Sequence, residues 1–326
     1  MDVRIRPFTP EEYETIVEIG NRIFPDYPET VEEVRYGDEH RDPKCRFQRY
    51  VAEHEESVVA FGSYDQSPWM YHPQKFKIEV YVDPDHQGRG IGSALYGHIM
   101  TELEPFNPIT ARSFAREDYD RSVRFLKKRG FVEVMRDWES RLDVQTFDFT
   151  PYEGHIERVE VHGIRLVPLS ELEDDLQRDH KLYELEDQIL QDVPMTDRYT
   201  PVSFELFVER TLKNPNLLPE AYYVALDEDR YVGTSGLWKS QANQDLYTGL
   251  TGVLREYRRR GIALALKLKG LAYAKEHGYP VIKTWNETGN RAMLTINEQL
   301  GFVKQPAWID FAKELGEETD AAPDRA

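Results

Sequence analysis

Asp83-Pro84-Asp85-His86-Gln87-Gly88-Arg89-Gly90-Ile91-Gly92 is the stretch that decides the fold. It follows a strand-like run, Ile78 to Val82, and opens a helix-like one. A glycine-rich turn feeding a helix N-terminus aims several backbone N–H groups one way, with the positive end of the helix dipole behind them. That is an anion cradle, and a pyrophosphate suits it. A weaker echo runs from Leu254 to Ala263, after the strand-like run Leu250 to Leu254.

A Gln/Arg-x-x-Gly-x-Gly/Ala pattern arises by accident at roughly one position in a thousand. Two hits with matched surroundings are another matter. Gly90 and Gly261 are 171 residues apart, and so are Gly130 of Arg129-Gly130-Phe131 and Gly301 of Leu300-Gly301-Phe302. Gln87 with Arg258 and Val82 with Val253 share the offset. The chain is an internal duplication, and the repeated unit carries the cradle.

With 326 residues there is length for two domains, each able to bury its own core. A net charge of −18 argues against nucleic-acid or anionic-membrane binding, which needs an excess of Lys and Arg. The single cysteine, Cys45, cannot form an intrachain disulfide and reads as structural. No apolar run approaches the ~20 residues that span a bilayer. The charged N-terminus does not read as a signal peptide, so a cytoplasmic location is expected. The nine histidines form no metal-ligand spacing, so no metal is expected.

In chain order, Val3 to Arg6 reads as a strand and Thr9-Pro10-Glu11-Glu12 as a helix start. The second half repeats this with Ile164 to Val167 and a capping box at Ser170 to Glu173. Second helices are expected near Glu32 and over Phe204 to Leu212. Hairpins follow over Phe47–Glu53 with Val58–Gly62, and over Ala221–Leu226 with Tyr231–Leu237. Each half then runs strand, cradle, helix, strand, helix, Gly-Phe and closing strand. The expected domains are 1–145 and 161–326, joined by a linker at 146–160. Glu314 to Ala326 reads as a polar tail.

The cradle is neither a Rossmann fingerprint nor a P-loop: the third glycine position falls on Leu95 or Ser93, and no Gly-Lys-Ser/Thr follows. The order of elements instead resembles the GNAT superfamily of acyl-CoA-dependent N-acyltransferases. The resemblance is carried by Val82-Asp83-Pro84 with Gln87 to Gly92, by Arg258-Arg259-Arg260-Gly261-Ile262-Ala263, and by the helices Ser122 to Phe131 and Asn290 to Phe302. It covers the chain twice, in a tandem arrangement similar to that of mycothiol synthases. It implies an α/β fold with a mixed α+β sheet, made of two tandem GNAT-like domains.

The resemblance further implies acetyl-CoA as the cofactor and acyl transfer to a small-molecule amine. Its pyrophosphate would lie on residues 88–93 (Gly88, Arg89, Gly90, Ile91, Gly92, Ser93) beside Gln87. In the second half the equivalents are Arg258, Arg259, Arg260, Gly261, Ile262 and Ala263. Backbone N–H groups near Val82 or Val253 would hold pantetheine and the thioester oxygen, where a fixed donor is typically worth ~3 kcal/mol of barrier.

Relatives place a tyrosine four residues before the Gly-Phe glycine; here Leu126 and Asn297 stand there. They place a glutamate eleven before the Gln/Arg; here Phe76 and Tyr247 stand there, with Asp245 on the strand face of Tyr247. Glu79 has the opposite parity and would point away unless a bulge intervenes. The second half also carries Asn286 and Asn290, where the first has Ala115 and Tyr119. The sequence therefore predicts the second half as the catalyst, through Asp245, Tyr247 and Asn297. The rival expectation is an acyl-CoA-binding sensor or scaffold without turnover. The segments Phe24 to Tyr27 and Trp69 to Tyr71 are candidate cleft walls.

Overall fold

In the computed structural model, which describes residues 3–317, the chain forms two compact units. The first holds the chain up to Arg136, the short segment Thr196–Thr200 and the chain from Trp308. It begins with β1 (Arg4–Pro7), α1 (Tyr13–Ile23) and α2 (Val31–Glu39), followed by β2 (Phe47–His54) and β3 (Ser57–Asp65). Next come β4 (Lys75–Val82), α3 (Ile91–Leu103), β5 (Thr110–Arg116) and α4 (Asp120–Lys127). Thr30 opens α2 with a capping box: its hydroxyl accepts from the Glu33 N–H at 3.2 Å, and its own N–H donates to the Glu33 carboxylate at 2.8 Å. On α3, Ile91, Leu95, Ile99 and Leu103 recur every fourth residue, and this stripe is buried against the sheet.

β4 shows why alternation matters. Phe76 and Ile78 are buried under α3, so Lys77, Glu79 and Tyr81 take the other face. β3 and β4 pair without a bulge from Ala60↔Val82 to Asp65↔Lys77. The parallel pairing of β4 with β5 covers only Lys75–Lys77 against Thr110–Arg112. Beyond that the two strands part, and the gap between them opens towards the cradle.

The second unit takes residues 137–195 and 201–307. Its elements are β6 (Val132–Asp143, counted here from Asp137), α5 (His155–Val161), β7 (Ile164–Pro168), α6 (Arg178–Leu190) and α7 (Phe204–Phe207). They continue with β8 (Leu217–Asp227), β9 (Arg230–Lys239), β10 (Leu246–Val253), α8 (Ile262–Glu276), β11 (Val281–Glu287), α9 (Arg291–Gln299) and β12 (Val303–Lys304). β10 and β11 again pair in parallel at two positions only, Leu246↔Ile282 and Tyr247↔Lys283. Here a register shift between Thr248 and Thr251 interrupts the β9–β10 ladder.

The compact units cut the chain differently from the expected ranges 1–145 and 161–326. β13 (Trp308–Glu314), the last strand, pairs with β5 in the first unit, from Trp308↔Arg116 to Glu314↔Thr110. β6, which follows the first Gly-Phe, pairs with β11 in the second unit. Each closing strand thus completes the sheet of the other repeat, an exchange that a repeat offset cannot reveal. Residues 146–160, expected as a linker, are built into the second unit: Phe147, Tyr152 and Ile156 join its core and α5 follows.

The box at Ser170 to Glu173 begins no long helix. A 3-10 turn ends at Glu171, and α6 starts only at Arg178, after an Asp175 turn that caps the Gln177 N–H at 2.9 Å. The expected tail begins as the end of β13, and its residues 318–326 lie outside the described residues.

Candidate active site: two cradles compared with their sequence

The first cradle is open. After β4, Asp83 caps a 3-10 turn (Pro84–His86) and is paired with Arg22 of α1, which also reaches Asp85 at 2.7 Å. Gln87 Nε2 donates to the Val82 carbonyl at 3.0 Å and so pins the turn to the strand end. Gly88 and Gly90 have φ of +79° and +89°, the left-handed region that glycine enters without strain. A Cβ on Gly90 would meet nothing within 4 Å. The early amides of α3 therefore face open space. The Ser93 N–H is spent inside the turn, on the Gly90 carbonyl at 3.0 Å.

A cleft of about 930 Å³ joins this cradle to the gap between β4 and β5. At the cradle end its wall is basic, with Arg121, Arg124, Lys128 and Arg129. In a chain of net charge −18, such a local cluster is a built anion environment. At the other end the cleft reaches Glu79, Tyr81 and Phe24. Phe24 stacks on Tyr119 (centroids 5.6 Å apart) and meets Tyr81 edge-on at 5.9 Å. Trp69 to Tyr71 do not line it; the Trp69 carbonyl accepts from the Thr200 N–H at 2.7 Å.

Two carboxylate residues line the cleft, Asp120 at the start of α4 and Glu79 on β4. Lys77 Nζ stands 2.8 Å from Glu79 and the Tyr81 hydroxyl donates to it at 3.0 Å. Burial pushes its pKa up, but the Lys77 charge and both hydrogen bonds outweigh that and hold it below the ordinary glutamate value. Tyr81 is raised well above the usual phenol, by burial first and by Glu79 second. Strand parity counted from Phe76 predicts that Glu79 points away. The structure reverses this: Phe76 is core, and the face of Glu79 looks into the cleft. No bulge is needed. The missed signal was the apolar run Phe76, Ile78, Val80, which marks the face under α3.

The second cradle keeps the backbone and is packed against different neighbours. Gly261 has φ +80°, and Arg259 takes φ +61° where the first cradle has Gly88. Arg258 Nε donates to the Val253 carbonyl at 2.9 Å, the counterpart of the Gln87 bond. The rest of the Arg258 guanidinium is paired with Asp192, which also holds Arg255. Hydrogen bonds from Arg255, then from Arg258, hold the Asp192 carboxyl at about 2. Arg260 donates to the Glu256 carbonyl at 2.9 Å. α5 lies over the turn: His155 Nε2 is 3.1 Å from the Gly261 carbonyl oxygen, and a Cβ on Gly261 would meet His155 at 3.0 Å. Ile189 of α6 presses on Gly252, where a Cβ would come within 2.2 Å of it.

The residues expected to work in this half are engaged with protein. Asp245 is ion-paired with the buried Lys283 at 2.7 Å. Tyr247 stacks on Trp285 at 5.9 Å. Asn297 is buried and donates to Asn286 Oδ1 at 2.6 Å. Asn290 caps α9 by accepting from the Met293 N–H at 3.3 Å. Ile262 is core and begins α8, with Ala263 next in its first turn. Sequence reasoning missed Asp192, His155 and Ile189, which reach the cradle from elements far away in the chain.

The comparisons agree with this architecture. The acetyltransferase (GNAT) family profile matches residues 13–131 and 180–302, and the chain belongs to that family. A tandem GNAT protein from the clavulanic acid biosynthesis pathway superposes with a TM-score of 0.74 at 17% identity, covering 98% of this chain and 100% of that one. A GCN5-related N-acetyltransferase from Sphaerobacter thermophilus gives 0.70 at 18% identity, covering 98% of both chains. Both show a shared tandem fold. Among curated sequences, N-alpha-acetyltransferase 30 of Schizosaccharomyces pombe is 33% identical over 94 residues. That match spans 26% of this chain and 59% of the relative.

No helix of the described residues is long and apolar enough to cross a membrane. Among the described residues no group of three or more His, Cys, Asp or Glu is placed to hold a metal ion.

Proposed function

We propose that the chain is an acetyl-CoA-dependent N-acetyltransferase of a small-molecule amine, working in its first half, with the second half retained as a closed copy. The observation that carries this reading is the continuous cleft from the open first cradle to Glu79, set against a second cradle covered by α5 and tied to Asp192. The preference for the second half drawn from Asp245 and the asparagines gives way to that contrast.

The residues fit the cofactor. Amides of Gly88 to Gly92 and the side chains of Arg121, Arg124 and Lys128 would hold its phosphates, and the space above Gly90 admits them. Acetyl-CoA supplies the acyl group as a thioester. The chain's own work is to seat the amine beside Tyr81 and Phe24 and to let the Glu79 carboxylate take a proton from the incoming ammonium. The freed nitrogen lone pair forms the N–C bond, the C–S bond breaks, and the thiolate carries away the electron pair and gains a proton. Tyr81, raised above the phenol range, stays protonated and fixes Glu79 in place.

Leu126, where relatives carry a tyrosine, favours the second reading: a protein that holds acyl-CoA without turnover. Thiol release from acetyl-CoA separates the two when followed over a panel of small amines. The panel includes a short peptide, because one relative is named an N-alpha-acetyltransferase. Amine-dependent release that Glu79→Gln suppresses supports the enzyme. Tight acetyl-CoA binding with no release from any amine supports the sensor. Absence of binding overturns both.

A further inference from the structure

Lys267 is a buried charge that the described fold leaves without a charged partner. It sits in the middle of α8 among Leu266, Leu268 and Leu271, and only 6% of it is exposed. Its Nζ stands 5.5 Å from the Phe302 ring centroid, and it makes no hydrogen bond or ion pair among the described residues. Interior ammonium groups normally carry a counter-charge, since an unpaired one is costly.

Lys267 lines a small, partly enclosed cavity of about 10 Å³ in the second unit, with Ser235 and Thr248 also in its lining; the Ser235 hydroxyl lies 2.9 Å from Thr251 Oγ1. The rest of the lining is apolar, including Leu237, Ile282 and Leu300. A space of that size admits about one water-sized particle. A monatomic ion suits that space better than a carboxylate, a phosphate or an acyl group. The polar groups present are an ammonium with three donors and two hydroxyls able to donate. No carboxylate from β9, β10, β11 or α8 lines the cavity, so nothing there would hold a cation. Burial alone lowers the Lys267 pKa, to about 8, so at neutral pH the ammonium is mostly charged.

The position also has a history within the repeat. Lys267 lies 171 residues after Tyr96, which lines the open cleft of the first half. The basic side chain thus stands where the first half has a cleft-lining tyrosine.

We propose that Lys267, with Thr248 and Ser235, forms a binding site for a monatomic anion of chloride size, which acts as the counter-ion of the closed half. The flexible lysine stem accommodates the few tenths of an ångström by which chloride exceeds water.

The test uses the full chain. At pH 7 and constant ionic strength, replacing gluconate by chloride is expected to raise the melting temperature by about 2–4 °C, saturating with concentration. Lys267→Met should remove that saturable rise while leaving amine acetylation unchanged. Crystals of the unmutated protein grown in bromide should show an anomalous peak beside Lys267 Nζ. An equal chloride response in Lys267→Met overturns the proposal. So does a bromide crystal without that peak, which would assign the space to a water. If the variant does not fold, the bromide crystal decides by itself.

Discussion

The two cradles share their backbone and differ in what lies on them. Gly88–Gly90 and Arg259–Gly261 repeat the same pair of left-handed residues, and Gln87 and Arg258 tie the turn to the strand end in the same way. One faces a cleft of about 930 Å³; the other faces His155, Val159 and the Asp192 carboxylate. A glycine turn at a helix N-terminus is thus a local property of sequence, whereas its use as an anion site is a property of tertiary access. A carboxylate on Arg258 also occupies the charge that a phosphate would seek. Duplication preserved the first property, while what lies on the turn differs between the halves.

The contrast breaks most readily at Glu79. Glu79→Gln keeps the shape but cannot take a proton, so kcat should fall by about 10²–10³ with the acetyl-CoA Kd unchanged. The pH profile sharpens the same point. Because Lys77 and the two hydrogen bonds hold Glu79 below the ordinary glutamate value, it is ionised above that value. Its protonation then costs activity only as pH falls beneath about 4.5. An acid limb in kcat near pH 6 would assign the base to another group, since Glu79 is already ionised there.

Next in size is binding. Gly90→Val forces a branched side chain into φ +89° and places it where phosphate would lie. Calorimetry should show acetyl-CoA affinity reduced by more than tenfold. Gly261→Val should leave affinity and a one-to-one stoichiometry intact, while lowering stability through its clash with His155. Two equivalents bound by the unmutated chain would show that the second cradle opens in solution.

How much of this was legible in the sequence follows from the range of the forces involved. The capping box at Thr9 to Glu12 and the glycine turns are set by neighbours a few residues away; with the 171-residue offset they yield the family fold, most elements and both turns. The exchange of β6 and β13 was not legible, because either closing strand has the pattern to complete either sheet. Asp245 looked free because its partner Lys283 lies 38 positions on, and nothing in a strand pattern says that a buried lysine will claim it. Glu79 could have been read: alternation with Phe76 and Ile78 fixes its face once the strand is known to pack under α3.

The smallest effect concerns what seals the second cradle. Asp192 is held at about 2 by Arg255 and Arg258, against an unfolded value near 3.8. A depressed carboxylate gives stability that is present above the unfolded pKa and lost as pH falls towards the folded one. Both arginines are well exposed, so screening leaves a contribution of about 1 kcal/mol. Asp192→Asn should therefore be less stable to urea than the unmutated chain by about 1 kcal/mol at pH 7. The two should converge as pH is lowered from 4 towards 2, over the range where both remain folded. The variant frees Arg258 but leaves α5 and His155 in place. If acetyl-CoA stoichiometry then rises to two, the carboxylate alone was the plug; if it stays at one, the helix closes the site and the ion pair only fastens it.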